Sequence, residues 1–238
     1  MAEDIRREGG LLKPEIIRRA VLGGLEVKKR NKYGTADNVV VMGCFCFGVL
    51  LTVRSFCLLL NRLGVDYVFL QKEYCCGAPL LGSMYLRGED VKRGEELAKE
   101  VLGHNISQAK QQGAKNVIYF CIWCAVLAKR FFPRGDINQM FFADVLVDRL
   151  KDVKLSLKGR IGYYRGCFRQ TSMYFPRDSS DTSLALDWSA YRDLLNKVEG
   201  LEIIDIPSHY CCKVAQQCIF RSKSAGVPTQ IGHPNGAK

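Results

Sequence analysis

From residue 38 onward, short runs of apolar residues alternate with longer stretches whose apolar positions recur every three or four residues. The short runs suit strands, and the longer spacing suits helices with one apolar side. The pattern predicts strands over 38–43, 65–70, 116–120, 160–164 and 201–206, and helices over 48–63, 89–112, 123–131, 143–151 and 187–198. Such an alternation builds an α/β fold, a sheet covered by helices. Gly64, Gly113 and Gly200 each stand between a helical stretch and a strand, where a left-handed cap ends the helix. Upstream, apolar residues at 16, 17, 20, 21 and 25 with basic residues between and after them predict an amphipathic N-terminal helix over 14–32 with a cationic C-terminal end. That helix packs on its own domain or docks on a partner subunit or an anionic membrane face, with Arg18 and Arg19 on its basic side.

One supersecondary unit occurs twice. Gly43-Cys44-Phe45 follows an apolar strand, and so does Gly166-Cys167-Phe168. Residues 63–76 (LGVDYVFLQKEYCC) align without gaps on 199–212 (EGLEIIDIPSHYCC), laying Gly64 on Gly200 and one Tyr-Cys-Cys on the other. The expected organisation is an N-terminal helical extension over 1–37, a first lobe over 38–152, and a second, truncated or degenerate lobe over 153–238. Cysteines at equivalent places in two copies point to chemistry rather than to packing alone.

In the first copy Cys44, Cys75-Cys76 and Cys121-x-x-Cys124 each fall at a strand end or in the loop after it. The C-terminal strand ends of an α/β sheet lie on one edge, so these residues are expected to converge. Adjacent cysteines reach different irons of a polynuclear cluster more readily than they share one ion. Gly77 lets the backbone turn tightly after the pair, and a C-x-x-C that opens a helix has its thiolate charge eased by the helix N-terminus. Two other readings stay open: a thioredoxin-like dithiol at Cys121 and Cys124, and a tetrahedral zinc ion held by some of these thiolates at one of the two sites. Cys46 and Cys57 read as small buried hydrophobes, although Cys46 shares a loop with Cys44 and is an alternative to it. Cys218 falls in a polar tail segment, and His209 reads as a neighbour of Cys211 or a surface residue.

Composition narrows the setting. A 47% apolar content supports a packed core, and eleven cysteines exceed the needs of an ordinary enzyme. Residues 1–13 are charged and glycine-broken, so no secretory leader is expected and the thiols should be reduced, as in the cytoplasm. The apolar run from Val39 to Val53 is broken by Gly43 and Gly48 and stops short of a membrane span, which predicts a soluble protein. A formal charge of +11 favours acidic partners, yet the basic residues are scattered without interleaved aromatics, so nucleic acid is not the expected partner.

A lone cysteine after a strand, then C-C-G, then C-x-x-C, with the set repeated, resembles the CCG cysteine-rich domain. That domain occurs twice in the B-type component of heterodisulfide reductase, in its fused D-type counterpart, and in components of anaerobic glycerol-3-phosphate dehydrogenase and lactate-utilisation complexes. The strings GCFCFG, EYCCGAPLLG and FCIWC carry the resemblance, over roughly residues 38–212. It implies a non-cubane 4Fe-4S cluster held by the five cysteines of each complete motif, with a disulfide substrate bound between two such clusters. By that resemblance Cys44, Cys75, Cys76, Cys121 and Cys124 are ligands of a first cluster, and Cys167, Cys211 and Cys212 belong to a second. The second copy has Lys213 in place of the glycine, and at the first copy's spacing its C-x-x-C would fall beyond Lys238. The implied activity is that of an iron–sulfur oxidoreductase subunit of anaerobic metabolism that passes electrons to a disulfide or another acceptor. No ferredoxin-type run of closely spaced cysteines is present, so a ferredoxin-like or flavin-bearing partner would supply the electrons, in a complex that is cytoplasmic or peripheral to a membrane. The alternatives are a non-catalytic electron-transfer or assembly subunit and a zinc-stabilised binding module.

Overall fold

The computed structural model describes Glu3, Arg6, Arg7 and residues 34–43, 50–86, 89–133, 135–163 and 188–206. The segment 14–32, with Arg18 and Arg19, lies outside them. A four-stranded, all-parallel sheet comprises β1 (Asn38–Val41), β2 (Val68–Phe69), β3 (Asn116–Tyr119) and β4 (Asn138–Phe141), in the order β2-β1-β3-β4. Its helices are α1 (Leu50–Arg62), α2 (Ala78–Leu86), α3 (Val91–Gln111), α4 (Ile122–Phe131) and α5 (Phe142–Leu150). The chain continues through β5 (Ser156–Tyr163), α6 (Trp188–Asn196) and β6 (Glu199–Asp205), and β5 and β6 pair in parallel as a second sheet. The α/β class expected from the alternating pattern is the class observed. Among the described residues, no helix is long and apolar enough to cross a membrane.

The near-continuous apolar runs of β1 and β3 follow from burial on both faces, the usual condition of parallel strands. Val39, Val41, Val117 and Tyr119 pack on one side with Leu102 and Ile106 of α3 and Leu127 of α4. Val40, Met42, Phe69 and Ile118 pack on the other with Val53, Phe56, Cys57 and Leu60 of α1. Cys57 is therefore a core residue of α1, as its apolar surroundings predict, and stands in the layer opposite α3 and α4.

Three elements depart from the sequence-based expectation. β4 was not expected: it is an edge strand, NQMF, exposed or half-buried over its first three residues, so it lacks an apolar run. α2 was also not expected, because APLLGSMYL is apolar nearly all round and shows no helical stripe. The strand expected over 65–70 shrinks to Val68–Phe69, since only two of its residues pair with β1. Gly64, Gly113 and Gly200 do adopt the left-handed backbone, at φ of 67°, 75° and 79°.

The second sheet repeats the pairing of the first. The alignment that lays Gly43 on Gly166 lays Val39 on Gly162 and Val40 on Tyr163; the alignment that lays Gly64 on Gly200 lays Val68 on Ile204 and Phe69 on Asp205. Val39 pairs with Val68 and Val40 with Phe69, while Gly162 pairs with Ile204 and Tyr163 with Asp205. The two β-α-β units thus share a register. α6 packs against α5 through Tyr191, whose hydroxyl donates to Asp144.

Candidate functional site

The loop after β2 and the start of α4 bring four cysteines together beyond the C-terminal ends of β1 and β3. Cys75, Cys76 and Cys124 are only 2%, 2% and 1% exposed, and Cys121 is half-buried. Their side chains form a connected file: Cys75 meets Cys76, Cys76 meets Cys124, and Cys124 meets Cys121, each in hydrogen-bonding contact. All of the described cysteines are free thiols.

Local structure dictates this meeting. Cys121 is the N-cap of α4, in extended backbone, so Cys124 follows it after one helical turn and lies on the same side. Gly77, directly after the pair, has φ 78°, and a methyl there would stand 3.1 Å from Cβ of Ala98, so the turn lies against α3. Gly43 closes the site from the end of β1. It has φ 83°, and a methyl there would stand 2.4 Å from Cβ of Cys121 and 3.3 Å from the sulfurs of Cys121 and Cys124.

The electrostatics distinguish the thiols. The hydrogen bond from Cys124 holds the Cys121 thiol below its ordinary value, helped by the N–H groups of Cys124 and Trp123 at the helix start and opposed by burial. Cys124 is pushed up, first by that same bond to Cys121, then by the bond to Cys76 and by burial. Cys76 is favoured as thiolate by its bond with Cys124, but its bond with Cys75, burial and the neighbouring sulfurs carry it well above the usual thiol range. Tyr119, fully buried at the end of β3 and donating to Gln139, is likewise raised by burial and by the charges of Cys124, Cys76 and Glu73.

Glu73 is a buried carboxylate at 7% exposure whose oxygens accept the N–H groups of Met42 (3.0 Å) and Gly43. Glu73 and Tyr119 adjoin the thiols, and Asn105, fully buried in α3, bonds the backbone of Tyr74 beside the pair; cysteine spacing alone reveals none of the three. The available signals were an acidic residue inside EYCC and an asparagine amid the apolar positions of a long helix.

Of the eight cysteines expected at cluster sites, four are brought together: Cys75, Cys76, Cys121 and Cys124. Cys44, Cys167, Cys211 and Cys212 lie outside the described residues, as do Cys46, His209, Lys213 and Cys218. Among the described residues, no set of three or more His, Cys, Asp or Glu side chains is disposed, as it stands, to hold a metal ion. In donor chemistry the site nevertheless fits a thiolate-held iron–sulfur group: four soft ligands from two segments, with a third segment, at Gly43, stripped of its Cβ where it meets them.

Residues 52–127 match the family model of the CCG cysteine-rich domain. The D-type component of the dihydromethanophenazine:CoB–CoM heterodisulfide reductase of Methanosarcina mazei is 32% identical over 153 residues, covering 60% of this chain and 35% of that protein. Its counterpart in Methanosarcina acetivorans is 35% identical over 118 residues, covering 45% of this chain and 27% of that protein. Lactate utilization protein A of a Geobacillus species is 28% identical over 170 residues, covering 65% of this chain and 61% of that protein. The alignments thus span only part of each relative's length. No solved structure matches the chain. The segment that matches the CCG cysteine-rich domain runs from α1 to α4 and contains all four clustered thiols.

Proposed function

We propose that this chain is the iron–sulfur subunit of a redox complex of the heterodisulfide reductase type, and that Cys75, Cys76, Cys121 and Cys124, with Cys44, hold a 4Fe-4S cluster of non-cubane form. The observation that carries the reading is the buried file of four thiols, inside the segment that matches the cysteine-rich domain. When bound, such a cluster takes up and delivers electrons one at a time. The protein's own residues do the rest. Burial of Cys75, Cys76 and Cys124 keeps water from the sulfurs. The start of α4 favours the thiolate of Cys121. Glu73 secures the backbone from which Cys44 departs.

In this reading residues 38–152 form the first lobe, and Cys167, Cys211 and Cys212 belong to a second site in 153–238 that holds a second cluster or a simpler metal such as zinc. Electrons arrive from a ferredoxin-like or flavin-bearing subunit and leave to a disulfide or another acceptor. The name of the heterodisulfide reductase relative, a subunit, supports a place in a larger assembly, which in this reading works in the cytoplasm or at a membrane surface.

The test is reduction of a small aromatic disulfide by the anaerobically purified chain with a reduced viologen as donor. Turnover that tracks iron content is expected. Iron-loaded protein that oxidises the viologen only in the presence of a partner subunit would make the chain an electron relay. Colourless protein that carries zinc and no iron would overturn the proposal.

A further inference from the structure

β2 ends at Phe69, and the chain then leaves the sheet and runs to α2 at Ala78, carrying Cys75 and Cys76 through the interior. Buried peptide groups need partners, and here one helix face supplies them. Asn105 of α3 accepts from the N–H of Tyr74 and donates to the C=O of the same residue, both at 2.8 Å. Gln108, nearly one turn further along α3, repeats the arrangement with Lys72: it accepts from that N–H at 3.3 Å and donates to that C=O at 2.7 Å. Gln112, just past the helix, donates to the C=O of Phe69 at 3.0 Å. Three side-chain amides, two on one face of α3 and one at its C-terminal end, thus take the place of a neighbouring strand.

An amide side chain carries one acceptor and a donor pair, so it can satisfy both groups of a facing residue as a strand neighbour would. Asparagine is a poor residue for a helix interior, and a fully buried one is costly unless all its groups are satisfied. Asn105 is 0% exposed in the middle of α3 and makes its two bonds to the residue immediately before Cys75. The alternation of the segment turns Glu73 the other way, onto Met42 and Gly43. The stretch Lys72-Glu73-Tyr74 is therefore fastened on both sides.

We infer that Asn105, assisted by Gln108, is a positioning residue that sets the Cys75-Cys76 pair through the backbone of Tyr74 and Lys72. The inference rests on the reading of that pair as cluster ligands only for its consequence in the loaded protein; the fastening itself concerns the chain alone. Loss of the Asn105 amide frees the loop to open locally while the rest of the core stays closed.

The test uses the full chain, treated to remove any metal, and follows iodoacetamide labelling under native conditions by peptide mass spectrometry, for Asn105→Ala and Gln108→Ala. Labelling of the Cys75-Cys76 peptide should rise roughly tenfold in Asn105→Ala and several-fold in Gln108→Ala. Cys57, buried in the opposite layer, should label at the wild-type rate and serves as an internal control. After iron and sulfide reconstitution, Asn105→Ala should give a shifted or broadened electron paramagnetic resonance signal, which Asn105→Asp, keeping the acceptor, restores in part. Unchanged labelling of the pair in both variants would overturn the inference. So would a rise at Cys57 in equal proportion in Gln108→Ala, since that is general loosening. If Asn105→Ala alone opens Cys57 as well, Gln108→Ala decides by the same criteria. A pair that loosens selectively in a protein that takes up no iron upholds the positioning role and removes the cluster reading.

Discussion

The carboxylate of Glu73 accepts the backbone N–H of Gly43, and so a residue two positions before the cysteine pair holds the end of β1 over the C-x-x-C of α4. The contact joins segments thirty residues apart and is buried on both sides, with the N–H of Met42 bound to the second oxygen at 3.0 Å. Hydrogen bonds to a buried charged group are worth more than neutral ones, and breaking them leaves two N–H groups without water.

Glu73→Ala should therefore destabilise the chain by about 1–3 kcal/mol. Glu73→Gln, which keeps one acceptor, should cost less. Urea denaturation of the metal-free protein measures both. Equal stability of all three proteins would mean that the carboxylate does not fasten β1.

Gly43→Ala should be more damaging. The added methyl falls 2.4 Å from Cβ of Cys121, inside any tolerable contact, and the backbone at φ 83° disfavours every residue with a Cβ. The left-handed conformation alone costs about 1–2 kcal/mol, and the overlap adds to it, for a total of roughly 3 kcal/mol or more. A melting temperature within a degree or two of wild type would contradict the close approach of Gly43 and Cys121.

How far the fold and site were legible in sequence varies element by element. The strands buried on both faces, β1 and β3, announced themselves as apolar runs, and the capping glycines at 64, 113 and 200 marked helix ends through their backbone requirement. β4 did not, because an edge strand with Asn138 and Gln139 exposes polar groups, and α2 did not, because a helix apolar on most sides has no stripe. Cys75, Cys76, Cys121 and Cys124 were legible because their spacing from strand ends predicts a shared edge. Glu73 and Asn105 act through backbone groups of distant residues, and no local pattern encodes such a contact. Pairing of Gly162 with Ile204 in the register of Val39 with Val68 agrees with the internal alignment of the two sequence strings.

Alkaline pH should weaken the fold through α1. Burial pushes the Cys57 thiol above its ordinary 9.0, against a bond from Tyr67 that lowers it, and burial also pushes the Tyr67 phenol above its ordinary 10.0. Both groups keep their protons in the folded chain at a pH where the unfolded chain releases them. Their contribution is complete below about pH 8.5 and declines as pH rises through 9 and 10. The urea midpoint should fall across that range, and Cys57→Ala or Tyr67→Phe should each flatten the decline. A midpoint independent of pH from 8 to 11 would show that neither group is shielded as described.

On the proposed function, Cys75, Cys76, Cys121 and Cys124 act together on one inorganic centre. Its most direct measurement is iron and acid-labile sulfide per chain, with the electron paramagnetic resonance spectrum, in anaerobically purified wild type beside Cys76→Ser, Cys124→Ser and Cys57→Ser. About four irons and four sulfides are expected in the wild type, with retention of both in Cys57→Ser and loss of most of the iron together with the signal in Cys76→Ser and in Cys124→Ser. Iron content and spectrum that are the same in all four proteins would contradict it.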